Sequence, residues 1–322
     1  MPYSATVLHR ARARLAEARA SRELENDRRV EAIYQAHPRL REIDRQLRAT
    51  AAQIMAATFR RGGDPSAAIA EIRTQNLALQ QEREWILESE GIDEADLRPE
   101  PVCTVCGGSG YVGARMCECL KELCRQEQKK ELSSLLGGRE SFDAFRLDYY
   151  PADFDPKLGA SPREQMQYTL LKCRRYARDF SADSPSLLFS GGTGLGKTFL
   201  SAAIARAVAD SGFSVVYETA GKIFSDFEAE KFGDGVHLTE KYLDCDLLIL
   251  DDLGTEMTTQ FTLSALYTLV NGRMLSGRPA IISTNLTADE IRRRYTPQIA
   301  SRLLGGYELL LFAGTDIRML KR

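Results

Sequence analysis

The spacing G-x-x-x-x-G-K-T at positions 191–198 constrains this chain more than any other feature. An apolar run at 187–189 precedes it. Phe199, Leu200, Ala203, Ile204, Ala207 and Val208 follow at helical spacing. Strand, glycine loop and helix, in that order, are the context a phosphate-binding loop requires. Gly191, Gly192, Gly194 and Gly196 let the backbone curl so that its N–H groups, those of Thr193 and Leu195 included, converge on phosphate oxygens. The helix N-terminus adds partial positive charge. Lys197 can reach β- and γ-phosphates, and the Thr198 hydroxyl can ligate Mg²⁺.

From residue 186 strands and helices alternate, which predicts an α/β fold with a parallel sheet. Five strands are expected at 187–190, 214–218, 246–251, 279–284 and 307–312. The third delivers Asp251 and Asp252 at its C-terminal edge, where ligands bind in such sheets. Asp251 is expected to hold Mg²⁺ through water, and Asp252 to orient or deprotonate an attacking water. Glutamate is usual for the second role. The shorter aspartate predicts slow turnover, with Glu256 as a helper. Asn285 ends the fourth strand and can hydrogen-bond the water or the γ-phosphate. Arg302 lies beyond the last core helix, where it could reach a neighbouring subunit's nucleotide. Arg318 follows the last strand and could reach the γ-phosphate of its own. Arg292, Arg293 and Arg294 are read as a solvated helix face, and Cys173 and Cys245 as core.

The N-terminal third differs in character. Residues 4–60 contain no glycine and only Pro38 as a break, so helices are expected on either side of it. Leu40, Ile43, Leu47 and Ile54 form one apolar stripe, and Ile69, Ile72, Leu79 and Ile86 a second. The turn signal Gly62-Gly63-Asp64-Pro65 between them predicts an antiparallel hairpin. The first 61 residues hold 13 Arg, no Lys and 7 acidic residues, against a net charge of −2 for all 322. A solvated face and a surface for nucleic acid or an acidic protein both fit that balance.

Cysteine usage points to metal rather than disulfides. The total of seven is odd, and four cluster as Cys103-x-x-Cys106 and Cys117-x-Cys119. The glycines after Cys106 let backbone N–H groups turn toward sulfur, and two thiolate pairs complete a tetrahedral site for Zn²⁺, with a redox dithiol and an iron–sulfur cluster as the alternatives. The second pair is tighter than the common spacing, which leaves Cys124 as an alternative ligand. No apolar run approaches a membrane span and no signal peptide is evident, so a cytoplasmic protein is expected. The aromatic stretch 141–151 reads as a linker that packs on the next domain or walls a nucleotide base.

The segments GGTGLGKT, LILDDLGTE, IISTNL, SRLLG and GTDIR stand in the order of AAA+ ATPases. More narrowly, the set resembles the DnaC/DnaI class of bacterial replicative helicase loaders, whose relatives include IstB-type transposition helpers. The likeness covers residues 142–322, and the cysteine knuckle resembles the zinc module of loader-like proteins. It implies an AAA+ P-loop fold with a five-stranded parallel sheet and a reduced lid, after an α-helical domain and a small zinc module. The expected boundaries are 1–98 for the helical, partner-binding domain, 99–136 for the zinc module and its helix, 137–185 for a linker and entry helix, and 186–322 for the ATPase domain.

By the same resemblance Lys197, Thr198 and Asp251 hold ATP and Mg²⁺, and Asp252 is the catalytic acid position. Asn285 is then the first sensor, Arg302 a finger supplied in trans and Arg318 the second sensor. The implied partners are a hexameric replicative helicase, single-stranded DNA and further copies of the chain at the ATP sites, with no membrane. Residues 220–243 occupy the place of a DNA-contacting insertion, with Lys222 and Phe224 as contacts. Alternatives are an ATPase helper of a DNA transposase and a nucleotide-gated adaptor with negligible turnover.

Overall fold

The computed structural model describes residues 3–59, 66–135, 140–233 and 237–320. The glycine turns expected at 62–65 and 137–138 lie outside these residues. The chain divides into two compact units, Ala13–Cys119 and Met1–Arg12 with Leu120–Arg322.

Three helices dominate the first unit. Helix α1 (Ala5–Ala36) enters it, and α2 (Pro38–Phe59) begins on Pro38, whose fixed φ suits a first helical turn. Helix α3 (Ser66–Glu90) returns antiparallel to α2. Arg39 pairs with Glu82 through both carboxylate oxygens, Asp44 with Arg83, and Thr50 with Asn76. The apolar core between them is small: Leu40, Ile43, Ile86 and Leu87 are buried, with Leu47 and Leu79 packed beside them. Ile54 stays exposed, so the stripe is used at one end only. A two-stranded hairpin, β1 (Tyr111–Val112) and β2 (Arg115–Met116), completes the unit.

Helix α4 (Glu118–Leu135) leads into the second unit. There its Gln128 brackets the sheet edge, donating to Phe213 O and accepting from the Val215 N–H. Helix α5 (Pro162–Arg178) opens on a capping box of Ser161 and Glu164. Then come β3 (Leu187–Ser190), α6 (Lys197–Asp210), β4 (Val215–Thr219), α7 (Ala220–Phe232) and α8 (Glu240–Asp244). The chain continues with β5 (Leu247–Leu253), α9 (Gln260–Leu275), β6 (Ala280–Thr284), α10 (Ala288–Arg294), α11 (Pro297–Gly306), β7 (Glu308–Leu311) and α12 (Ile317–Leu320).

The five strands β3 to β7 form one parallel sheet in the order β4-β5-β6-β3-β7. Both faces are covered, so the strands read as continuous apolar runs. Leu187, Phe189, Leu247 and Ile249 pack with α5 and α6, while Leu188, Leu248 and Leu250 pack with α7, α9 and α11. Four of the strands start one residue later than the apolar pattern indicates. Ser214 and Asp246 are taken by each other at the strand mouths, and Pro279 has no N–H for the ladder.

Arg273 is a cation sunk into the core of this unit. It is 1% exposed, and its guanidinium donates to the carbonyls of Tyr242, Cys245 and Pro279. It ties α8, α9 and the entrances of β5 and β6 together. Among the described residues no helix is long and apolar enough to cross a membrane. Replacing Arg273 with Met removes the guanidinium donors from the buried carbonyls of Tyr242, Cys245 and Pro279, of which Pro279 O keeps the Leu248 N–H. Arg273→Met is expected to cost about 3 kcal/mol or more of stability, read from urea denaturation followed by circular dichroism.

Candidate nucleotide site and metal centre

The parallel sheet brings the ends of β3, β5 and β6 to one edge. The buried strand β3 ends at Ser190, and the chain turns through 191–196 into α6. Gly196, the residue before α6, has φ 90°, and a Cβ there would meet Phe145 and Tyr150 at 3.0 Å. Gly194 has φ 73°, and its missing Cβ leaves room for the Asp316 carboxylate. Side chains at either position would strain the backbone and close the loop.

Lys197 is 5% exposed, and its ammonium donates to Gly191 O (2.6 Å), Gly192 O (2.7 Å) and Asn285 Oδ1 (2.6 Å). Burial pulls its pKa down, and Asp252 and Asp251 pull it back up. Its three hydrogen-bond acceptors are neutral, so the positive charge is available to an anion. A cavity of about 490 Å³ opens above it, lined by residues 193–198, Asp252, Thr255, Asn285 and Arg318. Phe145, Tyr149, Tyr150 and Phe199 form an aromatic wall of the same cavity, against the loop. Phe145 stacks on Tyr150, whose hydroxyl donates to Leu195 O at 2.9 Å, so the aromatic linker is fixed to the loop. The 141–151 stretch thus both packs and lines the cavity. A buried cation, a glycine loop, the Asp252 carboxylate with Asp251 buried next to it, and an aromatic wall fit a nucleoside triphosphate with its divalent cation.

The two aspartates are separated by a bulge. Leu250 pairs with Ile282 and Leu253 with Thr284, so β5 carries one more residue than β6 across that interval. Asp252 takes φ 58°, a left-handed conformation that few non-glycine residues adopt. Asp251 is 4% exposed and accepts from the Tyr217 hydroxyl at 2.7 Å and from Ser283. Asp252 lines the cavity, and burial and the neighbouring Asp251 raise its pKa, against Lys197 and Arg318. Tyr217, Ser283 and the bulge went unread in the sequence. Polar residues inside otherwise apolar strands were the available signal.

Glu256, Phe224 and Arg294 depart from expectation. Glu256 does not assist Asp252: its carboxylate accepts from the Gly254 N–H and the Tyr295 hydroxyl, beside Arg294. Phe224 is 5% exposed and belongs to the core under α7, so it is no DNA contact, whereas Lys222 is exposed and paired with Asp226. Arg294 is half-buried against Glu256, while Arg292 and Arg293 are exposed. Arg302 is not among the residues lining the cavity. It stacks over Tyr267 (4.7 Å) and donates to Asn271 Oδ1 and the Tyr267 hydroxyl. Cys173 and Cys245 are buried.

In the other unit the Sγ atoms of Cys103, Cys106, Cys117 and Cys119 lie within 4.8 Å of one another. Gly110 donates its N–H to Cys106 Sγ at 3.3 Å, and Cys117 N–H donates to Gly110 O. Burial works to raise the Cys106 thiol, but the Gly110 N–H and the Cys119 thiol outweigh it and bring it to about 6. Four converging sulfurs, one already favouring thiolate, fit a tetrahedral Zn²⁺. Cys124 is outside the cluster, fully buried on α4, with its thiol pushed up to about 11 by burial.

Residues 163–304 match the family model described as "IstB-like ATP binding protein". Over 156 residues the chain is 27% identical to the replicative helicase loader DnaC of Escherichia coli K12, covering 48% of this chain and 64% of that protein. This segment is an IstB/DnaC-type AAA+ domain. The AAA+ domain is also 29% identical over 153 residues to the chromosomal replication initiator protein DnaA of Aliarcobacter butzleri, covering 44% of this chain and 30% of that protein. Among solved structures, a DnaC helicase loader covers 55% of this chain and 98% of its own at 20% identity and TM-score 0.47. A DnaI structure covers 47% and 86% at 19% identity and TM-score 0.42.

The thiolate cluster makes a direct prediction. The purified protein is expected to carry one equivalent of zinc by elemental analysis. Cys106→Ser is expected to lower retention below about a tenth after dialysis against a chelator, because three ligands hold zinc far less tightly than four.

Proposed function

We propose that this protein is an ATP-driven loader of a hexameric replicative helicase onto single-stranded DNA. The observation that carries the proposal is the convergence of Lys197, Asp252, Asn285 and Arg318 on one cavity, in an AAA+ domain related to DnaC. Lys197 exchanges its neutral acceptors for β- and γ-phosphate oxygens, with loop N–H groups from residues 191–196 around them. Thr198 and Asp251 would hold Mg²⁺, which would supply charge neutralisation on the phosphates. Asp252 orients a water and takes its proton as the water oxygen bonds to the γ-phosphorus. The bond to the β–γ bridging oxygen breaks, releasing ADP and phosphate. Asn285, already bonded to Lys197, and Arg318 register the γ-phosphate.

Arg302 is proposed to act on a neighbouring copy, completing its site in trans. Its stacking on Tyr267 and its bond to Asn271 hold the guanidinium in one orientation before any neighbour arrives. ATP binding would then order subunits side by side, and slow hydrolysis by the short Asp252 base would reset them. The helical unit is the proposed helicase grip, and the zinc centre folds the module that carries the knuckle. Cytoplasmic location follows from that role.

A second reading, compatible with the IstB-like description of the matching family, is an ATPase that assembles on duplex DNA and stimulates a transposase. Native mass measurement separates the two. The protein is mixed with its host's helicase hexamer under ATP and under ADP. A discrete complex heavier than the hexamer supports the loader. No complex under either nucleotide, with ATP-dependent filaments on duplex DNA, supports the transposition helper. ATP turnover that stays undetectable with helicase and DNA present would indicate a nucleotide-gated adaptor.

Lys197→Ala is expected to weaken ATP binding by at least about ten-fold, measured by fluorescent-nucleotide titration, because a charge-assisted contact to phosphate is lost. Wild-type helicase loading by that variant would rule out the ATP switch. Protonation of Asp252 removes the base, and its pKa is raised by burial and by Asp251. The acid limb of the ATPase pH profile is therefore expected above the ~4 of a free carboxylate.

A further inference from the structure

Two hydroxyls hold Asp251. Tyr217 on β4 donates its phenolic O–H to Asp251 Oδ2 at 2.7 Å, and Ser283 on β6 donates to Oδ1. Ser283 Oγ also accepts the Asp252 N–H at 3.0 Å. A serine hydroxyl carries one proton, so with the Asp252 N–H on its lone pair that proton is committed to Asp251. The donors come from the two strands flanking β5, and Tyr217, Ser283 and Asp251 are all buried. The carboxylate is thereby fixed from both sides, and each oxygen keeps one further acceptor position.

We propose that Tyr217 and Ser283 are positioning residues that orient Asp251 toward the divalent cation of the bound nucleotide. The inference rests on reading the cavity as an ATP site. Covering a buried carboxylate would by itself call for hydrogen-bond donors. Ser283 does more than that: it joins Asp251 to the backbone of Asp252 and lies two residues before Asn285. One hydroxyl therefore ties the Asp251 carboxylate and the Asp252 backbone to the strand that ends at Asn285. Partners behind a metal ligand fix its orientation, and their loss weakens metal binding about 10- to 100-fold.

The test is Mn²⁺ titration of the full-length protein with a non-hydrolysable ATP analogue, reading free Mn²⁺ by electron paramagnetic resonance. Tyr217→Phe and Ser283→Ala are each expected to bind Mn²⁺ about ten-fold more weakly. Analogue affinity in EDTA and the far-ultraviolet circular dichroism should stay at wild-type values, and Ser283→Thr, which keeps the hydroxyl, should stay close to wild type. Wild-type Mn²⁺ affinity in both Tyr217→Phe and Ser283→Ala, with Asp251→Asn losing the ion, overturns the inference and leaves the ATP site standing. Retention of Mn²⁺ by Asp251→Asn overturns the assignment of Asp251 itself. If Tyr217→Phe fails to fold, equal Mn²⁺ affinities of the Ala and Thr variants at 283 overturn the role of Ser283.

Discussion

A buried ammonium held by neutral acceptors is the constraint around which the second unit is arranged. Lys197 reaches Gly191 O, Gly192 O and Asn285 Oδ1, so it bridges the β3 loop to the end of β6. Lysine is rarely buried without a counter-charge, because desolvation penalises the ammonium. Here carbonyl and amide oxygens offset part of that cost, and Asp251 and Asp252 supply negative potential from β5. The arrangement needs three strand ends at one edge. The crossover order β5-β6-β3 provides this, since β6, which carries Asn285 at its end, sits between the carboxylates and the loop.

The aspartates show how one step of backbone geometry divides two similar groups. Without the extra residue in β5, successive side chains would simply alternate across a sheet buried on both faces. With it, Asp251 stays within the sheet on two hydroxyl donors, while Asp252 turns to the cavity. Their environments then diverge. Asp251 gains donors, and Asp252 keeps a raised pKa beside a carboxylate neighbour. Separating two carboxylates in this way is a common route to distinct roles for each.

Much of this was legible in the sequence. The loop spacing, five strands to within a residue or two at either end, the helix break at Pro38 and the four-cysteine cluster follow from local rules of period, turn chemistry and ligand spacing. What escaped depended on contacts across strands. Tyr217 looked like one more aromatic in a β-run, and nothing local shows that its hydroxyl meets Asp251 34 residues later. Glu256 sits four residues after Asp252 and was expected to assist it, but Tyr295 and the Gly254 N–H claim its carboxylate. Phe224 could not be placed in or out of the core from a 13-residue helix whose apolar pattern is weak.

The bulge also records a conflict between chemistry and folding. Asp252 holds a backbone angle of 58°, which costs a non-glycine residue on the order of 1 kcal/mol or more. Glycine or asparagine would rest there with less strain. Aspartate tolerates this region better than most side chains, but at 252 it is still more strained than glycine, a cost that the use of its carboxylate would offset. In a lineage that no longer uses the carboxylate, this position should be among the first to drift, and toward greater stability.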